Sequence, residues 1–148
     1  MDDFKNRKEL TLLEIEKIAR GLKGLTYLTL SGGEPTLRDD LPQIVSLFSR
    51  YSNTQFVTLP TNGLMPERIT GLAQRMFEDN PGVSFRIVLP LDGLAGLHDY
   101  IRGVPGNFEK FKETYTLLNK LRARYTNFDI DIGTVLSKFN SGKISEII

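Results

Sequence analysis

The chain has 148 residues, 40% hydrophobic and 25% charged, with 19 Lys and Arg against 18 Asp and Glu for a net charge of +1. That length supports one domain with a true core. The charge balance, with no basic run and no aromatic–basic interleaving, argues against nucleic acid or an anionic membrane as a partner. Cysteine is absent, which removes disulfides, thiolate nucleophiles and cysteine-held metals or clusters from this chain. No apolar stretch approaches membrane-spanning length, and the polar start Met1 to Glu9 lacks a signal-peptide core, so a cytoplasmic location is expected.

In chain order, Thr11-Leu-Leu-Glu14 matches a capping box, with Thr11 as N-cap and Glu14 reaching back. Leu13, Ile15, Ile18, Ala19 and Leu22 give a mostly helical period that Gly24 ends. Leu25 to Leu30 reads as a strand. Leu41-Pro42 opens a second helix carrying Ile44, Val45, Leu47 and Phe48, since proline is tolerated in a first turn. Gln55 to Leu59 is the next strand, closed by Thr61-Asn62-Gly63. Pro66 begins a third helix with Ile69, Leu72, Ala73, Met76 and Phe77 inward, and Asn80-Pro81-Gly82 is a turn. Phe85 to Leu89 is a strand followed by Pro90-Leu91-Asp92-Gly93. A longer loop is expected through His98 to Gly106. Asn107 is placed as the cap of a long helix with Phe108, Phe111, Tyr115, Leu118 and Leu121 near one face. Phe128 to Ile132 and Thr134 to Leu136 make a fourth strand, and Asn140 or Ser141 caps a last helix toward Ile148.

Helices alternating with strands predict an α/β fold with a parallel sheet and crossover helices. Ser31, Thr61 and Leu91 each follow a strand and stand thirty residues apart, the mark of three similar βα units. Each strand ends in glycine or polar residues: Gly32-Gly33-Glu34, Thr61-Asn62-Gly63, Asp92-Gly93, and Ser137-Lys138 with Asn140. Parallel sheets bind ligands at that edge. Among these, Gly32-Gly33-Glu34 is the focus. Two glycines leave bare backbone for a ligand to approach, and Pro35 stiffens the exit and holds Glu34 extended. The edge is rich in acceptors and suits an ammonium group, whereas a phosphate cradle wants donors and a Lys or Arg. A plain βα turn with an incidental Glu is the alternative.

Ser31-Gly-Gly-Glu-Pro-Thr-Leu-Arg38, Thr61-Asn-Gly63, Leu91-Asp-Gly93 and His98-Asp-x-Ile-Arg-Gly103, in this order and spacing, resemble the radical S-adenosylmethionine (radical SAM) enzymes. The resemblance covers Leu10 to Ile148 and implies a partial (β/α) barrel. It implies that Gly32, Gly33 and Glu34 accept hydrogen bonds from the methionine ammonium of S-adenosylmethionine. It also implies that Asp92 and its neighbours lie near the ribose or the substrate. Arg102 is then a partner for the methionine carboxylate, a task suited to a guanidinium that grips with two hydrogen bonds; an ion pair with Asp99 is the competing reading.

Two departures stand out. The family's Cys-x3-Cys-x2-Cys motif, whose three cysteines hold an iron–sulfur cluster, is not present. Relatives also often carry Ser where Pro90 stands, which weakens a ribose contact there and marks a strand end. The expectation is a partial domain over residues 1–148, the second to fifth strands of a six-stranded barrel, without the first strand and its cluster loop or the last strand. The parent enzyme would cleave S-adenosylmethionine to a 5′-deoxyadenosyl radical for hydrogen abstraction from a small-molecule or peptide substrate, with the cluster ligands outside this chain. A cluster-free nucleoside-binding module and an interaction domain are the alternatives. Any S-adenosylmethionine binding by this chain is expected to be weak, since no cluster iron chelates the amino acid. The strands Leu25–Leu30 and Phe128–Leu136 are expected at the two sheet edges, open to self-association.

The remaining chemistry-bearing residues read as structural. His98, the only histidine, has no ligand partners at metal spacing. Ser31 has no histidine at a triad spacing. Asp129 and Asp131 share a strand face as a polar strand start, Phe108 to Tyr115 as core, and Asn62 as a turn closure with Gly63.

Overall fold

The computed structural model describes residues 9–147. The elements are α1 (Leu12–Gly21), β1 (Tyr27–Thr29), α2 (Leu41–Ser52), β2 (Phe56–Pro60), α3 (Pro66–Asp79), β3 (Ser84–Pro90), α4 (Gly96–Arg102), α5 (Asn107–Arg122), β4 (Phe128–Gly133) and α6 (Ile144–Ile147). Short 3-10 turns at Pro35–Leu37 and Ser141–Lys143 follow β1 and precede α6. The four strands form one open parallel sheet in the order β1-β2-β3-β4, so β1 and β4 are its outermost strands. This is the parallel α/β sheet the alternation predicts, and it is consistent with the partial (β/α) barrel that the resemblance implies.

Side chains alternate across the sheet, as the two-residue period of a strand requires. Val57, Leu59, Phe85, Ile87, Leu89 and Phe128 point to one face. There they are buried with Ile69, Leu72, Ala73, Met76 and Phe77 of α3 and Phe111, Leu118 and Leu121 of α5. A smaller cluster joins Ile15 and Ala19 of α1 to Ile44 and Phe48 of α2. The opposite face carries Tyr27 and Phe56, 54% and 46% exposed, together with Arg86 and Asp129. Among the described residues no helix covers it, and a parallel sheet is normally covered on both faces.

Several local expectations hold. Thr11 and Glu14 form the reciprocal capping box. Pro66 begins α3 and α2 carries its proline in the first turn. The prolines at the ends of β2 and β3 mark where the ladder stops. In a parallel strand the N–H and C=O of one residue face the same neighbour. Thr58 O accepts from Leu30 and Val88 O from Thr61, so Pro60 and Pro90 face the preceding strand at the next rung, where the missing N–H ends the ladder.

Four expectations are corrected. The stretch from His98 onward is a helix, α4, closed by Gly103 in the left-handed conformation. Its seven residues bury only His98, too little periodicity to register as a pattern. Asn107 is the first residue of α5, not its cap; left-handed Gly106 precedes it, and Asp99 takes the capping role by accepting from Gly106 N at 2.7 Å and Phe108 N at 2.8 Å. These backbone donors hold the Asp99 carboxyl below its ordinary range. Residues 134–136 are not strand, because Val135 N is drawn to Asp92. Asn140 makes no helix-cap bond; its side chain amide donates instead to Asp92 O and Val135 O.

Candidate active-site cleft

A cleft of ≈ 350 Å³ opens at the C-terminal ends of the strands. Gly32, Gly33 and Glu34 wall it on one side and Arg102, Thr134 and Val135 on the other, with Pro60, Asn62 and Pro90 between. Of the strand-end clusters the sequence pointed to, Gly32-Gly33-Glu34 and Thr61-Asn62 line the cleft, whereas Asp92-Gly93 and Ser137-Lys138 with Asn140 do not.

At the first wall, Pro35 requires an extended residue before it, and Glu34 is extended, at φ −143° and ψ 106°. That conformation turns its carboxylate into the protein. Oε1 accepts from Thr36 N at 3.1 Å, from the Thr36 hydroxyl, and from Thr61 Oγ1 at 2.8 Å. Oε2 accepts from Asn62 N at 2.6 Å. From α3, Arg68 clamps the turn that follows. Its Nε donates to Thr36 O at 2.6 Å and its Nη2 to Leu37 O at 2.7 Å, with Asp39 at 2.8 Å completing an ion pair. Asn62 does close its turn, accepting from Leu64 N at 2.9 Å.

Nothing among the described residues demands glycine at 32 or 33. Neither has a left-handed backbone, and a Cβ built on either would meet no atom within 4 Å. No described donor bonds to either carbonyl. The bare backbone there faces the cleft.

The other wall is built differently. Asp92, 3% exposed, lies beneath Arg102 and does not reach the cleft surface. Its Oδ1 accepts from Val135 N at 2.8 Å, and its Oδ2 stands 2.8 Å from Arg102 Nε. Arg102 therefore pairs with Asp92 rather than Asp99. The Arg102 Nε–H is buried without an aligned acceptor among the described residues, so the contact is an ion pair and the guanidinium lies at the cleft wall.

Behind this pair, Asp92 N donates to His98 Nδ1 at 3.1 Å, and His98 Nε2 lies 3.3 Å from Asn107 Oδ1. An accepting Nδ1 leaves the proton on Nε2, which donates to Asn107. Burial is the main cause holding the His98 pKa below the ordinary imidazole value. His98 is thus a neutral structural residue, as read from its isolation. Asp129 and Asp131 do not act as paired acids at a site: each faces an arginine, Arg122 at 3.5 Å and Arg86 at 3.2 Å.

Sequence reasoning missed Val135, and it placed Asn140 at the strand-end edge without its bonds to Asp92 and Val135. Val135 ties to Asp92 through its backbone N–H, which leaves no side-chain signal. Asn140 looked like a helix cap, since asparagine favours both tasks.

An open parallel β/α sheet with its cleft at the C-terminal strand ends is consistent with a partial (β/α)-barrel domain. The family model described as the Radical SAM superfamily matches residues 2–136, and the chain belongs to that superfamily. It is similar to GTP 3',8-cyclase of Haemophilus ducreyi, 29% identical over 129 residues, which cover 82% of this chain and 38% of the relative. It is also similar to AdoMet-dependent heme synthase of Methanosarcina barkeri, 35% identical over 128 residues, 83% of this chain and 32% of the relative. A probable GTP 3',8-cyclase of Methanococcus aeolicus is 40% identical over 67 residues, 43% of this chain and 22% of the relative. The chain spans about a third of the length of the first two of these curated relatives.

The two groups that the superfamily implies fit this chain unequally. An iron–sulfur cluster needs thiolates, and the sequence has none. Among the described residues no three His, Asp or Glu side chains are grouped to hold a metal. The cluster finds no ligands here. An amino-acid zwitterion does find complementary groups: unbonded carbonyls on one wall and a guanidinium on the other. Among the described residues no helix is long and apolar enough to cross a membrane.

Proposed function

We propose that this chain forms the S-adenosylmethionine-binding part of a radical SAM enzyme that acts on a small-molecule or peptide substrate in the cytoplasm. The observation that carries the reading is the pair Gly32-Gly33, which the fold does not require and whose backbone lies open at the cleft. The two carbonyls accept from the methionine ammonium. Arg102 offers its terminal nitrogens to the methionine carboxylate, and a partly desolvated guanidinium suits that planar anion. Asp92 beneath Arg102 keeps the guanidinium in place and balances its charge. Pro60, Pro90 and Val135 supply apolar surface for the nucleoside. Bound S-adenosylmethionine supplies, once reduced, the hydrogen-abstracting chemistry of the superfamily; with no cluster ligand in the sequence, that reduction is not assigned to these residues.

Binding by this chain is weak, since a few hydrogen bonds of about 1 kcal/mol net each act without chelation by iron. Calorimetric titration with S-adenosylmethionine at high concentration tests the reading. Gly33→Val places a branched side chain in open space, so affinity falls by about tenfold or more while the melting temperature stays within about 2 °C, since the site is unstrained and uncrowded. Equal affinity in the variant would remove the glycine edge from the binding site.

A further inference from the structure

Glu34 and Asp92 occupy equivalent places in the sheet, and their side chains do the same thing. Glu34 follows β1 and its carboxylate takes donors from Thr61 and Asn62 just after β2. Asp92 follows β3 and its carboxylate takes the Val135 amide just after β4. Between β2 and β3 the bridge is made by backbone alone, from Thr61 N to Val88 O at 3.1 Å. Every neighbouring pair of strand ends is thereby tied at the rim of the cleft.

Resting on the assignment of the cleft to S-adenosylmethionine, we propose that Glu34 and Asp92 are positioning residues that staple adjacent strand ends, and that neither carboxylate touches the ligand. A carboxylate offers about four acceptor sites. At Glu34 four donors occupy them: Thr36 N, the Thr36 hydroxyl, Thr61 Oγ1 and Asn62 N. An ammonium group reaching this carboxylate has to displace a donor, two of which are backbone amides unable to turn away. The Gly32 and Gly33 carbonyls stand beside it with no such competition. Asp92 is removed from the ligand by depth, with Arg102 between it and the cleft. The two carboxylates fix how far apart the walls stand, and the carbonyls and the guanidinium make contact.

The staples are visible in proton–nitrogen NMR spectra of the whole 148-residue chain. A short amide bond to a carboxylate is charge-assisted, so the Asn62 and Val135 amide protons resonate downfield. Glu34→Gln cannot restore its staple, because either orientation of the new amide sets its NH₂ against the fixed N–H of Thr36 or Asn62. The Asn62 resonance then moves upfield and its hydrogen exchange quickens by about tenfold or more, the loss expected for one charge-assisted bond, while Val135 is unmoved. Asp92→Asn does the converse. S-adenosylmethionine added to the unaltered chain shifts the amides around Gly32 and Gly33 and leaves Asn62 downfield. An Asn62 resonance indifferent to Glu34→Gln, or one that collapses upfield when ligand is added, overturns the proposal. Should Glu34→Gln fail to fold, Thr61→Val removes a single donor and moves Asn62 less but in the same direction; no movement is again fatal. A titration in which no amide shifts refutes the ligand assignment instead, and the variant spectra still judge the staples.

Discussion

The turn after β1 and the turn after β3 use the same residue types for opposite ends. Both set glycine beside a carboxylate at a strand terminus. After β1 the glycines are unconstrained and exposed to the cleft. After β3 the glycine is compulsory: a Cβ on Gly93 would stand 2.8 Å from Leu97 Cγ and 3.1 Å from His98 N. Asp92, beside it, is buried among Arg102, His98, Val135 and Asn140. Composition alone makes the two look equivalent. Packing shows that the first keeps surface free for a ligand and the second holds an inner framework. The same glycine signal carries binding in one place and architecture in the other.

Substituting alanine at each turn breaks or sustains this contrast with the largest expected effect. Gly93→Ala forces backbone and Leu97 apart and costs about 1–3 kcal/mol, the range for overpacking, which lowers the melting temperature by several degrees. Gly33→Ala leaves it unchanged or slightly raised, since the unfolded chain loses freedom and the folded one gains no clash. Thermal denaturation of both variants decides it, and equal losses would erase the distinction.

The next effect is one of pH. His98 belongs only to the inner framework, and burial lowers its pKa in the folded chain. The unfolded chain therefore binds a proton that the folded chain refuses. Stability contributed by neutral His98 is complete above the unfolded value of about 6.5 and is lost as pH falls below it toward the folded pKa. Melting curves between about pH 7.5 and 5 should show this decline, and His98→Gln should flatten it. A slope unchanged in that variant would assign the pH dependence to other groups.

The smallest effect sharpens the picture of the second turn. Ala95, which leads into α4, has φ 47° and ψ −128°, a conformation costly to any residue with a Cβ. Ala95→Gly should relieve about 1 kcal/mol, seen as a rise of a few degrees in melting temperature. A fall would show that Ala95 packs better than its backbone suggests.

Much of this was legible in the chain because long-period signals are robust. The thirty-residue recurrence of Ser31, Thr61 and Leu91 and the apolar faces of α3 and α5 placed the sheet, its order and the glycine edge. What stayed hidden is nonlocal or carried by backbone. The partner of Arg102 was sought in Asp99, three residues away; the structure brings Asp92 to it across the turn. Glu34 read as a free acceptor because two of its four donors, Thr61 Oγ1 and Asn62 N, lie after the next strand, and the other two come from Thr36, whose turn gives no sign of them in sequence. Helix α4 escaped because one buried residue in seven gives no period to detect.

The prolines that close β2 and β3 matter for what stays out of the cleft as well as for where the strands stop. A backbone that offers no amide toward its neighbour cannot anchor the next rung of a ladder. Pro60 and Pro90 each present that blank at the rim, on the side of the preceding strand and one rung past its last ladder bond. A segment laid along the rim beside either proline finds no amide there to pair with. The opening is thus guarded against intrusion by two missing hydrogen atoms, and it stays available to small ligands that need no strand to hold them.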